Sequence, residues 1–310
     1  MNTQPISPET LSASVIAVPP LARDADLTFN RSENEKQIRH LEAGGVTTLL
    51  YGGNAVLYHI ALSEYADLVG MLAESVGAQT LVIPSVGPSY GMMMDQASIL
   101  RDMPFPTAMI LPTRDVATTS GVATAVRRFV ERVNRPAVLY IKHDRFIEID
   151  QVKQMMDDGL LSWIKYAIVR KNTSDDNYLR ELVDTVGASR VVSGIGEQPA
   201  ISHMRDFGLA GFTSGCVCVA PRLSMQMLQA IKGGDLAKAD EIRQIFSPLE
   251  DLRNSINPIR VLHSAVTLTG IATMGPLVPL LCEIGEEDAI SIGTAAGELL
   301  ARNEPPTAVE

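Results

Sequence analysis

Eight short runs of β-branched and aliphatic residues recur along this chain, at residues 14–18, 46–51, 80–85, 107–111, 137–141, 166–171, 190–193 and 211–214. Longer stretches lie between them, with apolar residues every three or four positions. Leu62, Tyr65, Ala66, Val69, Leu72, Ala73 and Val76 form one such stripe, and Val122, Val126, Phe129, Val130 and Val133 another. That spacing describes helices that bury one face. Alternation of this kind builds a parallel sheet, because each parallel strand needs a crossover to return beside its neighbour. Right-handed crossovers set each new strand next to the last, and eight of them close most economically into a (β/α)8 barrel of the TIM type. A doubly wound sheet is disfavoured, since no Gly-x-Gly-x-x-Gly follows the first run.

Beyond the eighth run the β pattern stops, and residues 221–231, 235–245, 258–268 and 286–301 all read as helix. The expected organisation is a barrel over residues 1–220, followed over residues 221–310 by the eighth barrel helix and a C-terminal helical extension in the same structural unit. Pro305-Pro306 predicts a frayed end for residues 303–310.

Of the 310 residues, 46% are hydrophobic and 20% charged, enough to bury a large core. Basic residues number 26 against 36 acidic, a formal charge of -10 with no Lys/Arg cluster. Such a surface attracts neither a nucleic-acid backbone nor an anionic membrane, although a few local cations can still hold a small anion. Cys216, Cys218 and Cys282 make no disulfide framework and lack zinc-site spacing. The first residues carry no basic region followed by an apolar one, and no apolar run is long enough to span a bilayer. A cytoplasmic protein is expected.

A barrel does its chemistry at the C-terminal ends of its strands. Among the chain's seven lysines, Lys165 and Lys171 bracket the sixth run, and alternation puts both on one face. With the strand ending at 171, Lys165 falls at the inert bottom and Lys171 at the reactive top. A lysine buried there loses hydration of its charged form and becomes a nucleophilic amine, able to form an iminium with a ketone. The alternative is a surface pairing of Lys171 with Asp175 or Asp176. Tyr140 ends the neighbouring fifth run, where a phenol can relay protons to such an amine.

These residues resemble the dihydrodipicolinate synthase / N-acetylneuraminate lyase family, class I aldolases that form a Schiff base with pyruvate or a related 2-oxo acid. Val15-Ile-Ala-Val-Pro-Pro20 and Gly44-Gly-Val-Thr-Thr-Leu-Leu50 resemble its first two strands, and Lys171-Asn-Thr-Ser-Asp-Asp176 its Schiff-base lysine segment. Tyr140, followed by His143 and Arg145, resembles its Tyr-Asn-x-Pro-x-Arg segment. Val192-Ser-Gly194 and Gly208-Leu-Ala-Gly-Phe-Thr213-Ser214 resemble the strands lining the same pocket. The resemblance implies Lys171 and Tyr140 as catalytic residues, with Gly53, Asn54, Arg145, Arg114, Gly194 and Thr213 contacting substrate. It further implies a 2-oxo acid with an aldehyde or sugar-acid partner, no cofactor or metal, and a homo-oligomer, dimer or tetramer.

The departures lie in the site. Gly52-Gly53-Asn54-Ala55-Val56 replaces the family's Gly-x-x-Gly-Glu carboxylate loop and carries no hydroxyl. Pro112-Thr113-Arg114 stands where the synthases have paired tyrosines, one of them reaching a neighbouring subunit; Tyr51, Tyr58 or a water is left to substitute. Lys142, two residues after Tyr140, is a rival nucleophile. Three other readings stay open: a metal enzyme using His59, His143 and Asp144, a phosphate cradle at Ser193-Gly-Ile-Gly-Glu197, and a non-catalytic binding paralogue. Sugar-acid dehydration through the same lysine is the alternative within the family.

Overall fold

The computed structural model describes residues 1–303. The expected frayed end and the last part of the C-terminal extension lie outside them. Eight parallel strands run in the order β7-β6-β5-β4-β3-β2-β1-β8. They are β1 (Ile16–Ala17), β2 (Thr48–Tyr51), β3 (Leu81–Val86), β4 (Met109–Ile110), β5 (Ala137–Ile141), β6 (Leu161–Tyr166), β7 (Val191–Ser193) and β8 (Thr213–Ser214). A bridge between Ser193 and Phe212 joins the two ends, so the sheet closes into the expected (β/α)8 barrel.

The helices are α1 (Pro8–Ala13), α2 (Arg31–Ala43), α3 (Leu62–Ser75), α4 (Tyr90–Arg101), α5 (Thr119–Val133), α6 (Ile149–Asp157), α7 (Asn177–Val186), α8 (Ala200–Phe207), α9 (Pro221–Lys232), α10 (Leu236–Ser255), α11 (Pro258–Leu268) and α12 (Glu286–Ala301). One of α2 to α9 follows each strand. Local chemistry starts several of them: Asp176 accepts from Leu179 N at the head of α7, and Asn257 accepts from Ile259 N before Pro258 opens α11. The extension is not a separate layer. Ile242, Phe246 and Leu249 of α10 and Val261 of α11 share one buried cluster with Leu49, Ile83 and Tyr140 of the barrel.

Two of the differences from the sequence expectation bear on the site. The sixth strand spans 161–166 rather than 166–171. It pairs with β5 from Ala137↔Leu161 to Ile141↔Tyr166, and ends where β5 ends. Helix α10 runs ten residues past 245, through Pro248, to Ser255. The proline removes one helical N–H, while burial of Phe246 and Leu249 on either side of it holds the helix together.

Candidate active site

Tyr140 and Lys165 are register partners on neighbouring strands, so their side chains leave the sheet on the same face. Along β6, Trp163, Lys165 and then Ala167 share one face, and Trp163 and Ala167 join the cluster of the barrel interior on either side of the lysine. Ile164, Tyr166 and Ile168 point the other way, into the cluster under the helices. Lys165 is therefore an inward lysine one residue from the C-terminal end of its strand, only 4% exposed. Its Nζ lies 4.6 Å from the centroid of the Tyr140 ring. Burial, followed by the charges of Lys142 and Arg253, pulls its pKa down to about 7, so a large fraction is free amine at neutral pH.

This placement corrects the expectation for Lys171. It lies five residues beyond the end of β6, on an exposed loop. Nothing at that position desolvates an amine. The neighbouring Arg170 instead clamps the loop, bonding Asp144 after β5 at 2.7 Å and Asp176 at the start of α7 at 2.9 Å. Asp176 also accepts from the Tyr166 hydroxyl. Lys142, the sequence rival, stands on the rim with its Nζ 5.9 Å from the Tyr58 ring, its pKa below the ordinary lysine value through partial burial.

Of the tyrosines left to replace the missing pair, Tyr58 is the one at the mouth. A Cβ placed on Gly53 would meet its ring at 3.6 Å, and burial pushes its pKa up to about 12. The Tyr140 phenol is held higher still, by burial and then by Tyr58. Both phenols are protonated at neutral pH, the form that can donate a proton. Tyr51 is sealed inside the sheet.

Gly194 packs against Lys165 rather than against the Lys171 of the sequence reading. Its N–H donates to Tyr166 O at 2.6 Å, and a Cβ there would fall 3.0 Å from Lys165 Cε and 2.8 Å from Ala167 Cβ. Glycine at 194 is what allows β7 to approach the amine so closely. Thr213 is buried in β8, its carbonyl accepting from Gly196 N at 3.0 Å. Asn54 differs from expectation: its side-chain amide donates to Val18 O at 2.7 Å, tying the β2 turn to β1. The backbone N–H groups of Gly53, Asn54 and Ala55 carry no internal hydrogen bond among the described residues. Arg114 and Arg145 are both exposed on the rim. The cations whose charge reaches Lys165 are Lys142 and Arg253, and Arg253 was not anticipated.

Gly-Ile-Gly before α8 is not an open cradle. Gly196 is bonded to Thr213, and the Glu197 carboxyl is fully buried, accepting from Ser214 Oγ at 2.8 Å and Ser224 Oγ at 2.7 Å. Among the described residues no three His, Cys, Asp or Glu side chains converge as metal ligands, and no helix is long and apolar enough to cross a membrane.

Residues 12–289 match the dihydrodipicolinate synthetase family. The chain belongs to that family. Its members diverge widely from it. The chain is 24% identical over 277 residues to the 4-hydroxy-tetrahydrodipicolinate synthase of Dechloromonas aromatica, covering 87% of this chain and 92% of that protein. It is 25% identical over 302 residues to a probable 5-dehydro-4-deoxyglucarate dehydratase of Pseudomonas fluorescens, covering 93% and 95%. A Ruminococcus gnavus sialic acid aldolase, solved as its catalytic lysine mutant, superposes with a TM-score of 0.82 at 14% identity, over 94% of this chain and 96% of that one. The chain is thus an enzyme of the family's aldolase and lyase type.

Proposed function

We propose that Lys165 forms a Schiff base with pyruvate or a related 2-oxo acid, and that the resulting iminium drives reversible carbon-carbon bond cleavage or condensation. The observation that carries this reading is the buried amine of Lys165 beside the Tyr140 ring, on paired strand positions. The neutral Nζ attacks the C2 carbonyl to give a carbinolamine, and loss of water yields the iminium. Tyr140 donates the proton that lets the hydroxyl leave as water; its phenolate then takes the proton of the substrate hydroxyl as the C–C bond breaks, or in the reverse direction the phenol gives a proton to the aldehyde oxygen as the bond forms. Tyr58 is a second phenol within the same mouth. The free N–H groups at Gly53, Asn54 and Ala55 hold the carboxylate attached to C2. The dehydratase relative supports a second reading, sugar-acid dehydration through the same iminium.

Incubation with pyruvate, reduction with borohydride and peptide mass spectrometry tests the assignment. An adduct on Lys165 is the expected result; an adduct on Lys142 or Lys171, or none with any 2-oxo acid, would overturn it. Family resemblance also supports a homo-oligomer. The apolar groove between α4 and α5, with Val116 82% exposed at its edge, is a surface consistent with that, and light scattering reads the state directly. The free cysteines Cys216, Cys218 and Cys282 support work in a reducing cytoplasm.

A further inference from the structure

The barrel mouth carries more positive charge than one carboxylate needs. The N–H groups of Gly53, Asn54 and Ala55 at the end of β2, without internal partners, are the ones assigned above to the carboxylate next to the reacting carbon. Two further cations nevertheless press on Lys165 from different sides. Lys142 follows β5, on one side of β6, and Arg253 lies over the end of β8, two strands away on the other.

Arg253 is built into its position. It projects from the last turn of α10, and its guanidinium occupies the space that a side chain at Gly215 would take. A Cβ there would lie 2.7 Å from Nη2 and 2.9 Å from Cζ. Nε donates to Pro258 O at 3.3 Å, and Nη1 lies 3.9 Å from Cys216 Sγ. Nη2 has no hydrogen-bond partner, and no carboxylate lies within salt-bridge distance of the group, among the described residues.

The nearest acids do not release it from that state. Glu250, one turn earlier on α10, accepts from Glu197 N at 2.9 Å through Oε1, and its buried Oε2 has no partner. Both carboxyls are pushed up, Glu197 by burial and Glu250 by burial and then by Glu197, and their charges reach the Arg253 guanidinium without bonding it directly. A fixed guanidinium in a partly desolvated mouth, short of a direct anionic partner, is an anion site with its ligand still to come.

Resting on the Schiff-base reading above, we propose that Arg253, assisted by Lys142, binds a second carboxylate, and that the protein selects 2-oxo acids bearing a carboxylate at the far end of a short chain. The planar fork of arginine suits a carboxylate, and Arg253 sits at the end of β8, two strands from the β2 turn in the barrel order. The negative total charge of the chain does not oppose this, because the local field at the mouth is set by Lys142 and Arg253.

The test compares borohydride trapping at Lys165 with 2-oxoglutarate, 2-oxopentanoate and pyruvate. The first two share one chain length and differ in the terminal group, carboxylate against methyl. The wild-type protein should half-saturate at a concentration about tenfold lower with 2-oxoglutarate than with 2-oxopentanoate, a difference of one good charged contact. R253Q should erase that preference, read as the ratio of the 2-oxoglutarate to the 2-oxopentanoate value so that any shift of the Lys165 amine common to all acids cancels, and R253K should restore part of it. Half-saturation is read on the folded fraction, so partial unfolding of a variant does not mimic the result. No wild-type preference, or an equal rise for all three acids in R253Q, would overturn the proposal. Absence of any Lys165 adduct in the wild type would instead defeat the Schiff-base reading beneath it.

Discussion

Lys165 and Arg253 face the same mouth, but the fold holds them there by different means. Lys165 is fixed by the β5–β6 ladder, in register with Tyr140, so the amine and the phenol have little freedom to separate. Arg253 arrives from an appended helix and is seated by the absence of a side chain at Gly215. The reacting pair thus depends on strand pairing inherited from the barrel, whereas the charge that chooses among acids depends on the extension.

Removing Lys165 should break the ladder side of this contrast most severely. Lys165→Met should abolish trapping and lower turnover by about 10³-fold or more, while Lys171→Met should stay within about twofold in the same assay. Comparable losses in the two variants would remove the distinction between strand and loop lysines. Tyr140→Phe should come next, with turnover falling about 10²-fold as the proton relay is lost; an adduct that still forms and reduces at the wild-type rate would deny the phenol that role.

The same burial that frees the amine has a cost in stability, and its sign is fixed by the depressed pKa. Below pH 7 the lysine is charged in both folded and unfolded chains, and the full penalty stands. Between the folded value of about 7 and the free value, the unfolded chain holds a proton that the folded one does not, so stability rises with pH. Lys165→Met should therefore unfold at a higher temperature than the wild type, with a larger gain at pH 6.5 than at pH 9.5. The gain has an upper bound of about 5 kcal/mol, the full pKa displacement taken as energy. A constant gain across that range would argue against a buried titrating amine.

The smallest expected effect sharpens the electrostatic side. Lys142→Gln removes a like charge near Lys165, so the amine pKa should rise. The pH profile of adduct formation should move upward by roughly half a unit. A profile that does not move would place Lys142 outside the mouth's field.

Much of this was legible in the chain. The eight alternating runs called for the barrel, and β5 was read to the residue, from Ala137 to Ile141. Tyr140 was legible from its strand end, and Gly194 from the family resemblance of Val192-Ser-Gly194. The sixth strand shows where that method stops. Residues 160–169 are nearly continuous in apolar character, interrupted by Ser162 and Lys165, and a one-dimensional pattern does not say where a ladder ends. Alternation cannot choose between Lys165 and Lys171 either, because positions six residues apart share a face. Only pairing with β5, which stops at Ile141, assigns the strand end to Tyr166. Arg253 was missed for a related reason. The helix was ended at 245, so nothing beyond it was placed against the mouth.

The sequence by itself determined the fold class, the absence of a dinucleotide fingerprint, and the presence of lysines and a tyrosine near the ends of strands five and six. These follow from short-range periodicity, which any local window contains. The tertiary structure alone decided which lysine is buried, that the Asn54 amide is spent on Val18, and that an arginine from α10 joins the mouth. Those outcomes depend on desolvation and close approach between segments distant in the chain, and both are properties of the packed barrel rather than of any stretch within it.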